Sequence, residues 1–285
     1  MKRFKDNVIY FSGGGNPYYS LLLELCLISV YLTKFSQRII VLADQLFISI
    51  LDNSPIKNFV KFEVKLVDSN DGYHSALNKF SIFNHVNFTM NERILYLDSD
   101  IILIDSIEKI FEMNNSSSEI FVSNDSEISD GTLLMDSPHH GGLLFNDEQL
   151  RDIKKNKMKS INSGAFLFSV NSKDTFSRIL NISSPGNICL EQPFFNYILY
   201  HEKNYKFHLQ NYITHSGYKL SEKKERPQKP IVHFCGGPGK FRYKFISMVN
   251  YMDLIFSSFT EYLEMRSIIF NNFNELKKEF GEIEE

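Results

Sequence analysis

The sequence feature that most constrains the fold is an apolar run that leads directly into two aspartates. The run covers residues 93–97 (Arg-Ile-Leu-Tyr-Leu) and is rich in branched and aromatic side chains after Arg93, and after Asp98, Ser99 and Asp100 an apolar run covers residues 101–103. A short segment that is apolar on both faces indicates a strand buried inside a parallel sheet, with helices above and below. Burying a charge costs free energy, so aspartates at the end of such a strand need a partner or contact with solvent.

Asp98 and Asp100 are predicted to lie at the edge of the sheet where open α/β folds bind their ligands. Because the two are one residue apart, both can direct oxygens onto one hard divalent cation, with water and a substrate phosphate completing the shell. The Asp-x-Asp pattern also occurs by chance, and a solvated acidic turn is the alternative. The rest of the sequence has to decide between these two interpretations.

The N-terminal segment predicts a Rossmann-like start, in which a strand, a glycine-rich turn, a helix and a second strand follow one another. The strands are predicted at residues 8–11 and 38–43, and the helix at residues 18–35. Three glycines at residues 13–15 would let the backbone approach a ligand closely. The turn lacks the spacing of dinucleotide-binding and phosphate-binding loops, so a plain tight turn is the alternative.

Strands and helices continue to alternate along the chain, as in an α/β fold. Further strands are predicted at residues 62–67, 161–170, 206–213 and 231–234, and helices at residues 74–87, 107–113, from 191 and from 245. Residues 114–140 are rich in Ser, Asn, Asp, Gly and Pro and predict a long irregular segment. At its end lie His139 and His140, for which we favour solvent or acceptor contact over metal ligation.

The composition is that of a globular protein without an obvious nucleic-acid partner. Lys and Arg number 31 against 34 Asp and Glu, a net charge of −3, so no basic surface is expected. Three scattered cysteines predict reduced thiols rather than a disulfide framework. We see no signal-peptide core, and the apolar run at residues 21–30 is too short to span a bilayer. These features favour a cytoplasmic protein without a transmembrane segment.

Four motifs carry a resemblance to a known family. In chain order they are Leu-Tyr-Leu-Asp-Ser-Asp at residues 95–100, Asn-Ser-Gly at 162–164, Glu-Gln at 191–192, and His-Phe-Cys-Gly at 233–236 with Lys240. With them the chain resembles the GT-A glycosyltransferases, most closely family 8, from about residue 7 to 240. The resemblance implies a Rossmann-like, mixed and mostly parallel central sheet flanked by helices, as a domain of residues 1–244. Residues 245–285 are expected to form a C-terminal helical extension.

The resemblance also implies a site. Asp98, Asp100 and His233 would hold Mn²⁺, or Mg²⁺, on the diphosphate of a sugar donor, where a Lewis acid stabilises the leaving charge. Catalysis would involve Glu191 and Gln192, and Tyr19 would pack on a uracil ring. Donor contacts are implied for Ser12, Asn16, Tyr19, Lys79, Asp98, Ser99, Asn162, Ser163, Gly164, Gly236, Gly239 and Lys240.

Two departures from the family pattern affect these assignments. Position 191 is Glu where Asp is commoner, which moves the carboxylate by one methylene. The segment from His233 to Lys240 is one residue longer than usual and lacks the Pro-Trp that often follows. This glycine-rich segment is expected to fold over the phosphates, with Lys240 or Arg242 supplying the positive charge.

The function that the resemblance implies is retaining transfer of a hexose from a UDP-sugar to a hydroxyl of a glycan or similar acceptor. The route is open between a covalent intermediate on Glu191 and a front-face reaction assisted by Gln192. The alternatives are an inactive nucleotide-sugar-binding relative, a self-glucosylating primer, and a pyrophosphorylase, which the lack of an arginine in residues 12–19 disfavours. Neither sugar nor acceptor is identified, and a homodimer through the C-terminal helices is a further possibility.

Overall fold

The computed structural model describes residues 7–69, 72–113, 118–125, 141–183, 191–235 and 241–281. The strands are β1 (Asn7–Gly13), β2 (Arg38–Ala43), β3 (Glu63–Leu66), β4 (Arg93–Leu97), β5 (Ile101–Leu103), β6 (Ile120–Asn124), β7 (Ile161–Phe168), β8 (Tyr205–Lys206), β9 (Ile213–Thr214) and β10 (Ile231–His233). The helices are α1 (Tyr19–Leu32), α2 (Gln45–Asn53), α3 (Gly72–Leu77), α4 (Ile82–His85), α5 (Glu108–Phe111), α6 (Asp147–Asn156), α7 (Lys173–Ile182), α8 (Gln192–Glu202), α9 (Gly217–Lys223), α10 (Phe241–Phe256) and α11 (Thr260–Phe280).

The central sheet is mixed and mostly parallel, which confirms the predicted fold class. Within the described residues it has seven strands in the order β3-β2-β1-β4-β7-β6-β8. The pairs from β3 to β4 are parallel, β7 runs antiparallel to both β4 and β6, and β8 is parallel to β6. As predicted, β4 is a central strand, and residues 94–97 are buried because both neighbours and both faces are covered.

The chain changes sheets at the two aspartates. While β4 belongs to the central sheet, β5 pairs antiparallel with β10 in a small second sheet, and β10 pairs parallel with β9. In this register His233 lies opposite Ile101, next to Asp100. Asp98 and Asp100 therefore lie at the junction of the two sheets, and the ladder of the second sheet brings His233 to the same place.

The helix α1 is the centre of the larger hydrophobic core. All its residues except Tyr19 and Tyr31 are buried, as expected of a helix that is apolar on every side. It packs beneath α10 and α11, which contribute Phe245, Met265 and Ile269 to the same cluster. The C-terminal helices thus cover α1. Among the described residues, no helix combines the length and hydropathy needed to cross a membrane.

Three predicted elements were wrong. Residues 206–213 are not one strand, because β8 and β9 belong to different sheets and a 3₁₀ turn at Leu209–Asn211 separates them. The predicted helix at 74–87 is broken by a 3₁₀ turn at Asn78–Ser81, which buries both Lys79 and Phe80. The predicted irregular segment 114–140 contains β6, whose apolar residues 120–122 are buried between β7 and β8. Strands β8 and β9 are two residues long and show no periodicity in the sequence, so contacts between distant segments determine their pairing.

A buried carboxylate joins α1 to α11. Glu24 is completely buried, and both of its oxygens lie 3.0 Å from the Nδ2 donor of Asn272. Burial raises the pKa of Glu24 to about 7, although hydrogen bonds from Ser54 and Asn272 lower it in part. The charged form of Glu24 is therefore disfavoured in the folded chain, in the region where α11 covers the core.

We expect Glu24→Gln to remove a pH dependence of stability. The pKa of Glu24 is about 7 in the folded chain against 4.5 in the unfolded chain, so its contribution is undiminished below pH 4.5 and declines as the pH rises to 7. The decline amounts to about 3 kcal/mol. Urea unfolding at pH 5 and pH 8 should show the substituted chain losing less stability than the wild type. Glu264→Gln, an exposed position on α11, is the matched control, and equal losses in all three chains would contradict the assignment.

Candidate active site

Three predicted metal ligands come together where the two sheets meet. Asp98 follows β4, Asp100 precedes β5 and His233 ends β10, and one ligand atom from each lies within 4.8 Å of the others. Asp100 and His233 are buried, with 8% and 2% of their surfaces exposed. Two carboxylates and an imidazole form a donor set that suits a divalent ion of the Mn²⁺ type.

Asp100 is held between Lys244 and His233. Its Oδ2 lies 2.5 Å from Nζ of Lys244, on α10, and its Oδ1 lies 3.1 Å from Nε2 of His233. Burial alone would raise the pKa of Asp100, but Lys244 and His233 outweigh it and hold this pKa well below its usual range. Although the Oδ1 atom is close to His233, it accepts no well-aligned hydrogen bond within the described residues. A buried carboxylate oxygen that faces an imidazole in this way fits a bound cation.

Gly164, on β7, leaves the room that the cluster needs. A Cβ atom at this position would lie 2.3 Å from Cε1 of His233 and 2.9 Å from Oδ2 of Asp98. Its carbonyl accepts a hydrogen bond from the Asp98 backbone N–H at 2.8 Å. Any larger residue would displace His233 or Asp98, so close packing explains the glycine.

Lys79 connects Asp98 to Glu191. Its buried ammonium lies 2.9 Å from Oδ1 of Asp98, 2.8 Å from Oε1 of Glu191 and 3.3 Å from the carbonyl of Ser163. Burial alone would lower the pKa of Lys79, but the two carboxylates outweigh it and raise this pKa above its usual range. Lys79 therefore stays charged, and its three protons have protein acceptors.

Glu191 and Gln192, at the start of α8, are oriented by β7 and β6. The Ser163 hydroxyl donates to Oε1 of Glu191 at 2.8 Å, and the Ser163 backbone N–H donates to Oε1 of Gln192 at 3.2 Å. Nε2 of Gln192 donates to Oδ2 of Asp125 at 3.3 Å, while Nδ2 of Asn162 donates to Oδ1 at 2.8 Å. Asp125 thus orients two amides that the sequence placed near the donor.

A cavity of about 370 Å³ opens beside this network. It brings the predicted residues of the glycine turn and of α1 together with the aspartates and Glu191. Its lining is Ser12, Gly14, Asn16, Tyr19, Ser75, Ala76, Lys79, Tyr96, Asp98 and Glu191. Asn162, Ser163, Gly164 and Gln192 adjoin it through the contacts above, and Ser99 lies in the turn between β4 and β5. Gly236, Gly239 and Lys240, and the predicted closure of their loop, lie outside the described residues, as do His139 and His140.

The glycine turn packs mainly against the protein itself. A Cβ atom on Gly13 would lie 2.7 Å from the ring of Phe47, and one on Gly14 would lie 2.7 Å from Oδ2 of Asp44. That carboxylate also accepts the backbone N–H of Gly15 at 2.7 Å, while its Oδ1 caps α2 through Phe47 N–H at 2.8 Å. Gly13 and Gly14 thus pack closely against Phe47 and Asp44, while Gly14 also lines the cavity, and the predicted approach of this turn to a ligand stays a prediction.

Four residues of the network were missed by sequence reasoning. Asp125 follows β6 as Asp98 follows β4, and the run Ile-Phe-Val before it was a usable signal. Tyr96, within β4, donates its hydroxyl to Oδ1 of Asp98. His215 and Lys244 come from β9 and α10, and nothing in their local sequence marks them. Their positions depend on tertiary packing alone.

The mixed central sheet has Asp98 and Asp100 at its edge, and Glu191 lines the same cavity as Asp98. These features are typical of the GT-A type of glycosyltransferase. The family model described as glycosyl transferase family 8 matches residues 23–241. The chain therefore belongs to glycosyl transferase family 8. Enzymes of this family and fold generally use a divalent metal and a nucleotide-sugar donor. Among curated proteins no sequence matches the chain.

Solved structures share the fold at low identity. The galactosyltransferase LgtC, in complex with donor and acceptor sugar analogues, has a TM-score of 0.57 and 12% identity over 88% of this chain and 95% of its own. GlyE of Streptococcus pneumoniae TIGR4 has a TM-score of 0.54 and 14% identity over 90% of this chain and 64% of its own. The bifunctional glycosyltransferase WbbM has a TM-score of 0.56 and 13% identity over 89% of this chain. The match covers 52% of WbbM, so the chain corresponds to about half of that protein.

We expect Lys79→Met to destabilise the fold. Removing the buried ammonium leaves Asp98 and Glu191 facing each other without a counter-charge, which costs on the order of 3 kcal/mol. Urea unfolding at neutral pH measures the change, and Lys154→Met, at an exposed position of α6, is the control. A free energy of unfolding equal to that of the control would show that Lys79 does not balance these carboxylates.

Proposed function

We propose that this chain is a retaining glycosyltransferase that moves a hexose from a UDP-sugar to a hydroxyl of a glycan or similar acceptor. The observation that carries the proposal is one continuous network, in which Lys79 bridges Asp98 of the metal cluster to Glu191 beside the cavity. A donor whose diphosphate lies at the cluster would then place its sugar in the cavity that Asp98 and Glu191 both line. The C-terminal helices are proposed as a second unit, with residue 245 as the predicted boundary.

We propose Asp98, Asp100 and His233 as the metal ligands, with Mn²⁺ preferred and Mg²⁺ possible. The buried, poorly satisfied Oδ1 of Asp100 and the imidazole that faces it support this assignment. When bound, the ion would act as a Lewis acid for the leaving diphosphate. Lys244, next to Asp100, would be a positive charge in addition to the metal ion, and it adds to the electrostatic field that favours binding of the anionic diphosphate.

The residues around the sugar position support chemistry at the anomeric carbon. In such a transfer the bond from carbon to the donor phosphate breaks, the acceptor oxygen bonds to the same carbon, and the acceptor proton passes to a phosphate oxygen. Positive charge develops on the sugar, and the Glu191 carboxylate can stabilise it at close range. Lys79 and Ser163 both contact Oε1 of Glu191 and so fix its orientation. Gln192 is hydrogen-bonded to Asp125 and Ser163, and we propose that it orients the substrate and does not supply a proton.

The metal assignment predicts a large effect of Asp100→Asn. Loss of one anionic ligand should lower UDP-sugar turnover on the order of 100-fold, because the ion stabilises the charge that develops on the leaving diphosphate by several kcal/mol. Release of UDP with Mn²⁺ and with EDTA measures this effect. The control is Asp105→Asn, an exposed carboxylate after β5. Equal wild-type turnover in EDTA and in Mn²⁺ would refute metal dependence, and no turnover of any UDP-sugar would favour a binding protein.

The role of Glu191 predicts a change in kcat rather than in KM. Glu191→Gln keeps the shape but removes the charge that stabilises the transition state, so kcat should fall on the order of 100-fold with KM changed little. The exposed Glu108→Gln on α5 is the control. An unchanged kcat would assign Glu191 to a structural role at the start of α8. Proton NMR of the product tests retention separately, and an inverted anomeric centre would overturn that part of the proposal.

A further inference from the structure

A second cluster of ligand side chains lies behind the metal site. His215 follows β9, His233 ends β10 and Cys235 lies two residues beyond, so neighbouring strands place the three together. One ligand atom from each lies within 4.8 Å of the others. His215 and His233 are 8% and 2% exposed, while Cys235 is half-buried and not in a disulfide. The glycosyl transfer proposed above uses neither His215 nor Cys235.

The spacing of these atoms matches the edges of a tetrahedral metal site. The two Nδ1 atoms of His215 and His233 are 3.2 Å apart, and Sγ of Cys235 lies 3.8 Å from Nδ1 of His215. Zinc–nitrogen and zinc–sulfur bonds of usual length give tetrahedral edges of about 3.3 Å between nitrogens and about 3.6 Å from nitrogen to sulfur. Two of the three edges therefore lie within a few tenths of an ångström of a tetrahedral site, and one ligand atom from each of the three residues lies within 4.8 Å of the others.

We propose that His215, His233 and Cys235 bind a thiophilic divalent ion such as Zn²⁺ or Cd²⁺. Nitrogen and sulfur donors select such ions, whereas the oxygen-rich cluster of Asp98 and Asp100 selects harder ones. On binding, the Cys235 thiol releases its proton to solvent and the sulfur bonds to the ion, so one proton leaves for each ion bound. The thiol contact to the His215 carbonyl, 3.1 Å long, is lost in that step.

His215 is already oriented for this role. Its Nε2 lies 3.0 Å from the hydroxyl of Ser123 on β6, and this contact leaves Nδ1 turned towards His233 and Cys235. Metal-binding histidines commonly have such a partner on the second ring nitrogen, because it fixes the tautomer and the ring orientation.

The two sites share one imidazole. The Nε2 atom of His233 faces Asp100 at 3.1 Å, and its Nδ1 atom faces His215 at 3.2 Å. A neutral imidazole has one nitrogen lone pair, so His233 can serve only one ion at a time unless it loses a further proton. Binding of the thiophilic ion therefore weakens binding of the hard ion, and the reverse holds to the same extent. Inhibition of transfer by Zn²⁺ would follow. This inhibition and the competition between the two ions rest on the proposed function, whereas the thiophilic site itself does not.

The site itself is tested without any assay of transfer. Titration of the intact chain with Co²⁺ or Cd²⁺ should produce a thiolate-to-metal charge-transfer band in the ultraviolet, saturating at one ion per chain. Cys235→Ser should abolish this band, and His215→Gln should weaken binding at least about tenfold. Cys26→Ser is the control, because that buried thiol donates to the Ile101 carbonyl and is not part of the cluster. A missing band, or a band that survives Cys235→Ser, would overturn the proposal.

Competition for His233 is measured with Mn²⁺. Electron paramagnetic resonance detects free Mn²⁺, and Zn²⁺ should release Mn²⁺ from the wild-type chain at least about ten times more effectively than from Cys235→Ser. Asp98→Asn should lose Mn²⁺ binding but keep the cobalt band. Equal release from both chains would refute the shared imidazole. A chain that shows the band but transfers no sugar would refute the proposed function and leave the thiophilic site standing.

Discussion

The buried ammonium of Lys79 is the interaction on which the site depends. Asp98 follows β4 and Glu191 precedes α8, and without a cation between them the two carboxylates would repel each other. Lys79 contacts both, and its third acceptor is the Ser163 carbonyl of β7. The end of β4, strand β7 and the start of α8 are thereby held together at the wall of the cavity. The same contacts of Lys79 therefore balance the buried charges and fix the geometry of the site.

The change of sheet after β4 accounts for the rest of the constellation. Because β5 leaves the central sheet and pairs with β10, His233 arrives beside Asp100 and close to Asp98. The parallel ladder of β9 and β10 places His215 beside the other ring nitrogen of the same imidazole. Gly164 leaves room for this arrangement, since a side chain there would collide with His233. One histidine thus joins an oxygen-rich cluster to a cluster of nitrogen and sulfur.

The C-terminal helices serve both the core and the site. They cover α1, which is apolar on every side and would otherwise expose that surface. Asn272 of α11 satisfies the buried Glu24, and Lys244 of α10 meets Asp100. The predicted boundary at residue 245 falls within α10, and it stays a prediction. Packing of α10 brings a charge into the site that no motif contains.

Local sequence patterns and the four motifs were enough to predict the fold class, the central strand with its aspartates, and the resemblance to the family. Buried strands and strand-end carboxylates are local patterns, so Arg38–Ala43 and Arg93–Leu97 could be predicted with their bounds. The roles of the predicted donor and metal residues stay predictions, although the structure brings those that it describes to one place. Only the tertiary structure decided the division of residues 206–213 between two sheets, the inward turn of Lys79, and the positions of Asp125, His215 and Lys244. Contacts between distant segments fix these features, and no periodicity along the chain encodes such contacts.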